Sequence, residues 1–249
     1  MTQDIQTQLQ ALEQERRIKI LLAVESGSRA WGFPSPNSDY DVRFFYLHDQ
    51  DWYLSITDRK DTIEYFHNEW LDFGGWDIRK ALSLVRKSNG SPAEWLQSPT
   101  IYREVPGFRE SLFGLVQDYF QPVHSLNHYR GIALNSLKQA EATGQLPIKK
   151  VFYMIRPLLA ALWIAEHQTV PPMQIGPLLE QLSDEPLQNE ILELIERKKL
   201  AVEAQAWEPS ERIQAFIEAA FAQVEATKLE KRPVPDAEPL NQYFRSLLQ

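Results

Sequence analysis

Strand-like segments crowd into the first 105 residues of this chain, and from about residue 106 onward every periodic segment is helical. A chain divided in this way folds as an α+β protein, because strands need neighbouring strands to satisfy their backbone groups while helices satisfy their own. The expected organisation is a domain with a short mixed sheet and helices over residues 1–105, followed by a helical domain over residues 106–249.

Ile5, Leu9 and Leu12 recur at helical spacing and predict an amphipathic helix ending near Arg16-Arg17. Ile18 to Val24 is short, apolar and strand-like, and it stops at Glu25-Ser26-Gly27-Ser28. Gly32, Pro34, Pro36 and Asn37 then give a turn-rich loop. Asp39 to Tyr46 alternates, placing Asp39, Asp41 and Arg43 on one face of a strand and Tyr40, Val42 and Phe44 on the other. Further strands are expected at Ile63 to Phe66 and Glu69 to Phe73, joined by a His67-Asn68 hairpin, with Trp70 and Asp72 sharing a face. After Gly74-Gly75, the spacing of Ile78, Leu82 and Val85 predicts a helix carrying Arg79, Lys80, Arg86 and Lys87. Ser91-Pro92-Ala93-Glu94 has the form of a capping box.

In the second half, helices are expected over Leu126 to Ala142 with a stop at Gly144, over Val151 to Ala165 with a kink at Pro157, over Glu190 to Ala204 and over Ile213 to Leu229. A proline-rich connector from Lys231 to Pro239 leads to a short terminal helix.

The chain has no cysteine, so any metal is held by carboxylate oxygens or by the five histidines. His124, His128 and His167 lack ligand spacing and read as structural. A net charge of −8 argues against non-specific coating of nucleic acid, though it permits a local basic groove. No apolar run approaches the roughly 18 residues of a membrane span, and the polar N-terminus does not resemble a signal peptide. The expectation is a cytoplasmic protein with no membrane partner.

Residues two apart in a strand stand roughly 6.5–7 Å apart along it, so Asp39 and Asp41 can converge on one divalent ion. Two-metal centres need a further acid. Asp72, set between Leu71 and Phe73 in mid-strand, is favoured over Asp77, which reads as a helix cap, although Asp77 stays open. Gly27 allows close approach of a triphosphate to the backbone, and Ser28 supplies a hydroxyl donor. Arg29, beside that turn, and Ser38, beside the first acid, join the nucleotide-binding candidates. Taken singly, Asp39 is an ordinary turn acid and Asp41 a solvated strand acid; their conjunction with Gly27-Ser28 is what points to chemistry. The cations of the 78–87 segment have a bland reading as a solvated helix face, and Trp31, Trp70 and Trp76 as packing residues.

Gly27-Ser28, ten residues, then Asp39-Tyr40-Asp41-Val42 matches the signature of the polymerase β-like nucleotidyltransferase superfamily. More narrowly, GSRAWGFPSPNSDYDVRFFY, LDFGGWDIRKALSLVRKSNGSPAEWLQSP and KKVFYMIRPLLAALWI resemble the RlaP nucleotidyltransferases, an RNA repair pathway DNA polymerase β family. The resemblance implies a short nucleotidyltransferase sheet with magnesium or manganese on Asp39, Asp41 and a third acid placed at Asp72. It also implies phosphate or substrate contacts from the segment holding Lys80, Lys87, Asn89 and Glu94. Gly90 departs from the family, where proline often follows the asparagine. The implied reaction transfers a nucleoside monophosphate from a nucleoside triphosphate to an acceptor hydroxyl, with pyrophosphate released. The acceptor is RNA, as the family label suggests, another macromolecule or a small molecule. The alternatives are a non-catalytic, antitoxin-like nucleotide-binding regulator of the same fold and a metal-dependent hydrolase.

Overall fold

A computed structural model describes residues 1–143, 148–200 and 209–249. In chain order the elements are α1 (Thr2–Arg16), β1 (Ile18–Glu25), α2 (Gly27–Trp31), β2 (Tyr40–His48), α3 (Gln50–Tyr53), β3 (Thr62–Asn68), β4 (Leu71–Asp77), α4 (Ile78–Arg86), α5 (Gly90–Leu96), β5 (Ile101–Glu104) and α6 (Phe108–Asp118). They continue with α7 (Pro122–Thr143), α8 (Ile148–His167), α9 (Ile175–Leu179), α10 (Glu185–Leu200), α11 (Glu211–Ala226) and α12 (Glu238–Leu247). The fold is α+β. Residues 1–30, 39–119 and 233–249 form one compact unit, and residues 31–38 and 120–232 form another. Among the described residues no helix is long and apolar enough to cross a membrane.

The first unit is built on a mixed five-stranded sheet in the order β3-β4-β2-β1-β5. β2 and β4 run parallel, while β1 pairs antiparallel with β2 and with β5, and β3 with β4. Strand alternation sorts the side chains. Val42, Phe44 and Tyr46 of β2 and Leu71 and Phe73 of β4 turn to a core closed by Ile5, Leu9 and Leu12 of α1. Burying each such aliphatic or aromatic side chain contributes roughly 1.5–3 kcal/mol. On the opposite face Phe45 packs against Trp95 of α5 at 5.0 Å and Phe108 of α6 at 6.1 Å between ring centroids. Asp41 and Arg43 share that face with Phe45. The terminal helix α12 belongs to this unit, with Phe244 set edge-on to Tyr53 at 4.9 Å.

Three local expectations are corrected. Gly74 and Gly75 lie inside β4 rather than ending it, because a Cβ at Gly75 would stand 2.2 Å from the Phe44 ring. Strand β4 begins at Leu71, so Trp70 sits in the turn, its amide donating to Asn68 Oδ1 at 2.8 Å. Helix α5 is capped by Asn89, whose side chain accepts from the Ser91 amide at 3.0 Å, so Ser91 is not the cap.

The second unit is helical. Val151, Phe152, Ile155, Leu158, Leu159 and Leu162 of α8 fill its core, and Pro157 lies inside that helix. Phe33 enters the same core and stacks on Phe152 at 4.7 Å, its carbonyl accepting from the buried Lys198 ammonium at 2.7 Å. The expected stop at Gly144 and the expected extension of α10 past Leu200 lie outside the described residues.

Candidate active site

The parallel pairing of β2 and β4 sets Asp41 directly beside Asp72. Two carboxylates in neighbouring positions repel, so they require a cation. Arg43, two residues along β2 on the same face, supplies it: Nη2 lies 2.9 Å from Asp41 Oδ1 and 2.6 Å from Asp72 Oδ2. Its Nη1 donates to the carbonyls of Val42 and Asp72, both at 3.2 Å. The guanidinium and both acids keep about a fifth of their side chains in solvent, at 21–23% exposure. The group is thus reachable from outside.

Gly27 opens the turn at the end of β1 with φ +60°, a backbone conformation that side chains disfavour. A Cβ there would lie 2.0 Å from Asp41 Oδ2. The glycine therefore gives the Asp41 carboxylate room to reach the turn. The Ser26 amide donates to the Asp41 carbonyl at 2.8 Å and locks the turn to β2. Ser28 is buried in α2. Arg29 donates through Nε to the Asp39 carbonyl at 3.0 Å, and its guanidinium lies 3.8 Å from the centre of the Tyr40 ring.

Asp39 stands just outside β2 and is exposed. Among the described residues no group of three or more His, Asp or Glu is placed to hold a metal ion. Asp41 and Asp72 converge; Asp39 lies apart from them, two residues before Asp41. Asp77 occupies the far end of β4, roughly 16 Å from Asp72 at the usual rise per strand residue. There it caps α4 by accepting from the Arg79 amide at 2.9 Å and also accepts from the Tyr53 hydroxyl at 2.6 Å. Lys80 is paired with Asp61 at 3.0 Å beside that cap. Lys87 is exposed at the end of α4, Asn89 is the α5 cap, and Glu94 lies on α5. Ser38 is buried in the second unit, its hydroxyl 2.9 Å from that of Ser35.

Glu25 was not among the candidates, yet it is 2% exposed and holds the site from behind. Its Oε1 accepts from the Asp41 amide at 2.9 Å and its Oε2 accepts from the Tyr102 hydroxyl. The signal in the chain was an acid closing the apolar run from Ile20 to Val24 just before the Gly-Ser turn. Burial pushes the Glu25 carboxyl above its ordinary 4.5, against the opposing pull of the bonds from Tyr102 and Asp41. The folded state therefore holds this proton more tightly than the unfolded chain. The resulting stability is complete below pH 4.5 and is lost as pH rises through the folded value. The Glu25→Gln variant should lack this loss: relative to it, wild type should weaken as pH increases from 4 to 7 in urea unfolding. The reverse trend would mean that the hydrogen bonds outweigh desolvation. Buried Asp77 titrates in both proteins and cancels in the difference.

A family model described as RlaP, RNA repair pathway DNA polymerase beta family, matches residues 1–246. YcgL of Bacillus subtilis strain 168, an uncharacterised protein, is 42% identical over 230 residues, covering 92% of this chain and 88% of its own length. A nucleotidyltransferase-like protein from Exiguobacterium sibiricum 255-15 aligns over 89% of this chain and 73% of its own, with 12% identity and a TM-score of 0.32.

Proposed function

Since the chain belongs to the RNA repair pathway DNA polymerase β family, we propose that it transfers a nucleoside monophosphate from a triphosphate to an acceptor hydroxyl and releases pyrophosphate. The observation that carries this reading is the convergence of the Asp41 and Asp72 carboxylates on one cationic group beside the side-chain-free Gly27. Arg43 acts there as a stand-in cation, and an all-oxygen donor set suits a hard ion such as magnesium or manganese. Asp39, exposed two residues before Asp41, would join them as a third ligand by turning toward the pair. A divalent cation held by these carboxylates would neutralise charge on the triphosphate and acidify the acceptor hydroxyl.

The chain's own residues have separate tasks in this reaction. Gly27 makes room for the Asp41 carboxylate against the turn, and the amides of the turn and the Ser28 hydroxyl donate to the phosphate oxygens. Arg29, stacked on Tyr40, adds positive charge next to that turn. Asp72 takes the acceptor proton as the acceptor oxygen bonds to the α-phosphorus; the bond to the bridging oxygen breaks and pyrophosphate departs. Glu25 positions Asp41 through its amide and touches no reactant. Lys80 and Asn89 are engaged with Asp61 and with the α5 terminus, and Ser38 with Ser35, so none of the three is assigned to the phosphates.

Incubation with each ribonucleoside triphosphate, magnesium and a panel of hydroxyl acceptors should release pyrophosphate with an equal amount of acceptor gaining one nucleotide by mass. The Asp39→Ala plus Asp41→Ala protein should stay at background. Equal release by both proteins would remove the enzymatic reading, and release of phosphate or monophosphate with no modified acceptor would indicate a hydrolase.

A further inference from the structure

The face that presents Asp41 and Asp72 continues into a trough of about 270 Å³ across β2, β4 and β3. Strand register fixes its plan. Gly74, flanked by Arg43 on β2 and Glu64 on β3, gives the floor no side chain of its own, and the Arg43 side chain lies against it, with Cδ 3.1 Å from where a Cβ would stand. One end is closed by Trp76 and Trp95, stacked at 4.0 Å with 27° between their planes. The other end opens at Asp72, beside which the edge strand places Phe66, 73% exposed.

A single exposed phenyl ring is ordinary on a protein surface. Its position is not, because Phe66 adjoins the carboxylate pair and stands at the opposite end of a flat floor from two stacked indoles. The volume sits at the lower limit of small-molecule sites, about 300 Å³, which suits one planar heterocycle with its sugar and little more. Glu64, Asp41 and Asp72 make the surroundings acidic apart from Arg43, so this trough is a poor seat for a phosphate and a good one for an uncharged ring carrying N–H donors.

We propose that the trough seats the base of the acceptor, which is a nucleoside or a strand terminus, so that its sugar hydroxyl lies at Asp72. This inference rests on the nucleotidyl-transfer reading above and names the acceptor class for that site. The base packs against Phe66 at the mouth and reaches toward Trp76, with a ring N–H or amino group donating to Glu64. Phe66 is in this account a specificity residue for the acceptor and has no part in binding the triphosphate.

The test uses 2-aminopurine riboside and a hexaribonucleotide carrying 2-aminopurine at its 3′ end, because stacking quenches the fluorescence of that base. Wild type should quench at least one of them saturably, Phe66→Tyr should retain the affinity, and Phe66→Ala should weaken it about tenfold. Quenching by the riboside identifies a nucleoside acceptor, and quenching by the oligomer alone identifies a strand end. Affinity that is unchanged in Phe66→Ala, no quenching of either probe, or competitive displacement of the probe by a non-hydrolysable triphosphate would each overturn the proposal. In the wild-type protein, a missing reaction with intact quenching counts against the transfer reading, and a working reaction without quenching counts against the trough.

Discussion

Gly27→Ala, Asp41→Ala and the double variant are expected to lose nucleotidyl transfer by the same factor, about a thousandfold in kcat/KM, equivalent to about 4 kcal/mol of transition-state stabilisation. The reason is steric. An alanine methyl at position 27 would occupy space 2.0 Å from Asp41 Oδ2, so the carboxylate must swing away, and removing the carboxylate altogether then costs nothing further. Two changes that disable one group are not additive. Losses that multiply would instead assign Gly27 a role independent of Asp41. The left-handed backbone at φ +60° adds an expense in stability of about 1–2 kcal/mol for alanine, measurable as a lowered melting temperature. The Asp41→Ala protein should not share it.

Arg43→Ala is expected to tighten manganese binding about tenfold while making the metal-free protein less stable. In the absence of metal, Arg43 separates two carboxylates that strand register forces together, and its removal leaves them repelling across the β2/β4 pair. A metal entering the wild-type site must displace the guanidinium from both acids, whereas in the variant it meets them unpaired. A factor of ten corresponds to about 1.4 kcal/mol, in keeping with a partly exposed ion pair. Calorimetric titration gives the affinity, and the rise in melting temperature on adding manganese should be larger for the variant. Weaker binding in Arg43→Ala would show that the arginine assists the cation rather than excluding it.

Much of the sheet was legible because period-two alternation is a local property. The stretch from Asp39 to Tyr46 announces which of its side chains travel together, and the structure has Asp41 bonded to Arg43 on one face and Val42 and Phe44 in the core on the other. The expected strand extends through His48 and omits Asp39, which loses its ladder position where the chain enters from the 31–38 segment. Glycine pairs usually punctuate, so Gly74-Gly75 read as the end of a strand; their true cause, the Phe44 ring and the Arg43 side chain on the adjacent strand, is a tertiary contact that no local pattern carries. β5 went unread for the same reason. Ile101–Glu104 is four residues with charged members, and it becomes a strand only by pairing with β1.

The candidate site divides likewise. The neighbourhood of Asp41 and Asp72 depends on the parallel register of β2 with β4, and neither strand announces its partner. The Glu25–Tyr102 hydrogen bond joins residues 77 apart. Asp77, by contrast, reads as a cap from its place before Ile78 and serves as one, since helix capping is decided within one turn.

Nucleotidyl transfer at this site requires Asp41 and Asp72 to give up Arg43 for a divalent cation that meets a triphosphate at Gly27-Ser28. Crystals grown with manganese and a non-hydrolysable nucleoside triphosphate test it most directly through the anomalous signal of the metal. A manganese peak ligated by oxygens of both aspartates and of the triphosphate is expected, with Arg43 turned out of the pair. A bound triphosphate elsewhere on the chain, with Arg43 still bridging Asp41 and Asp72, would contradict it.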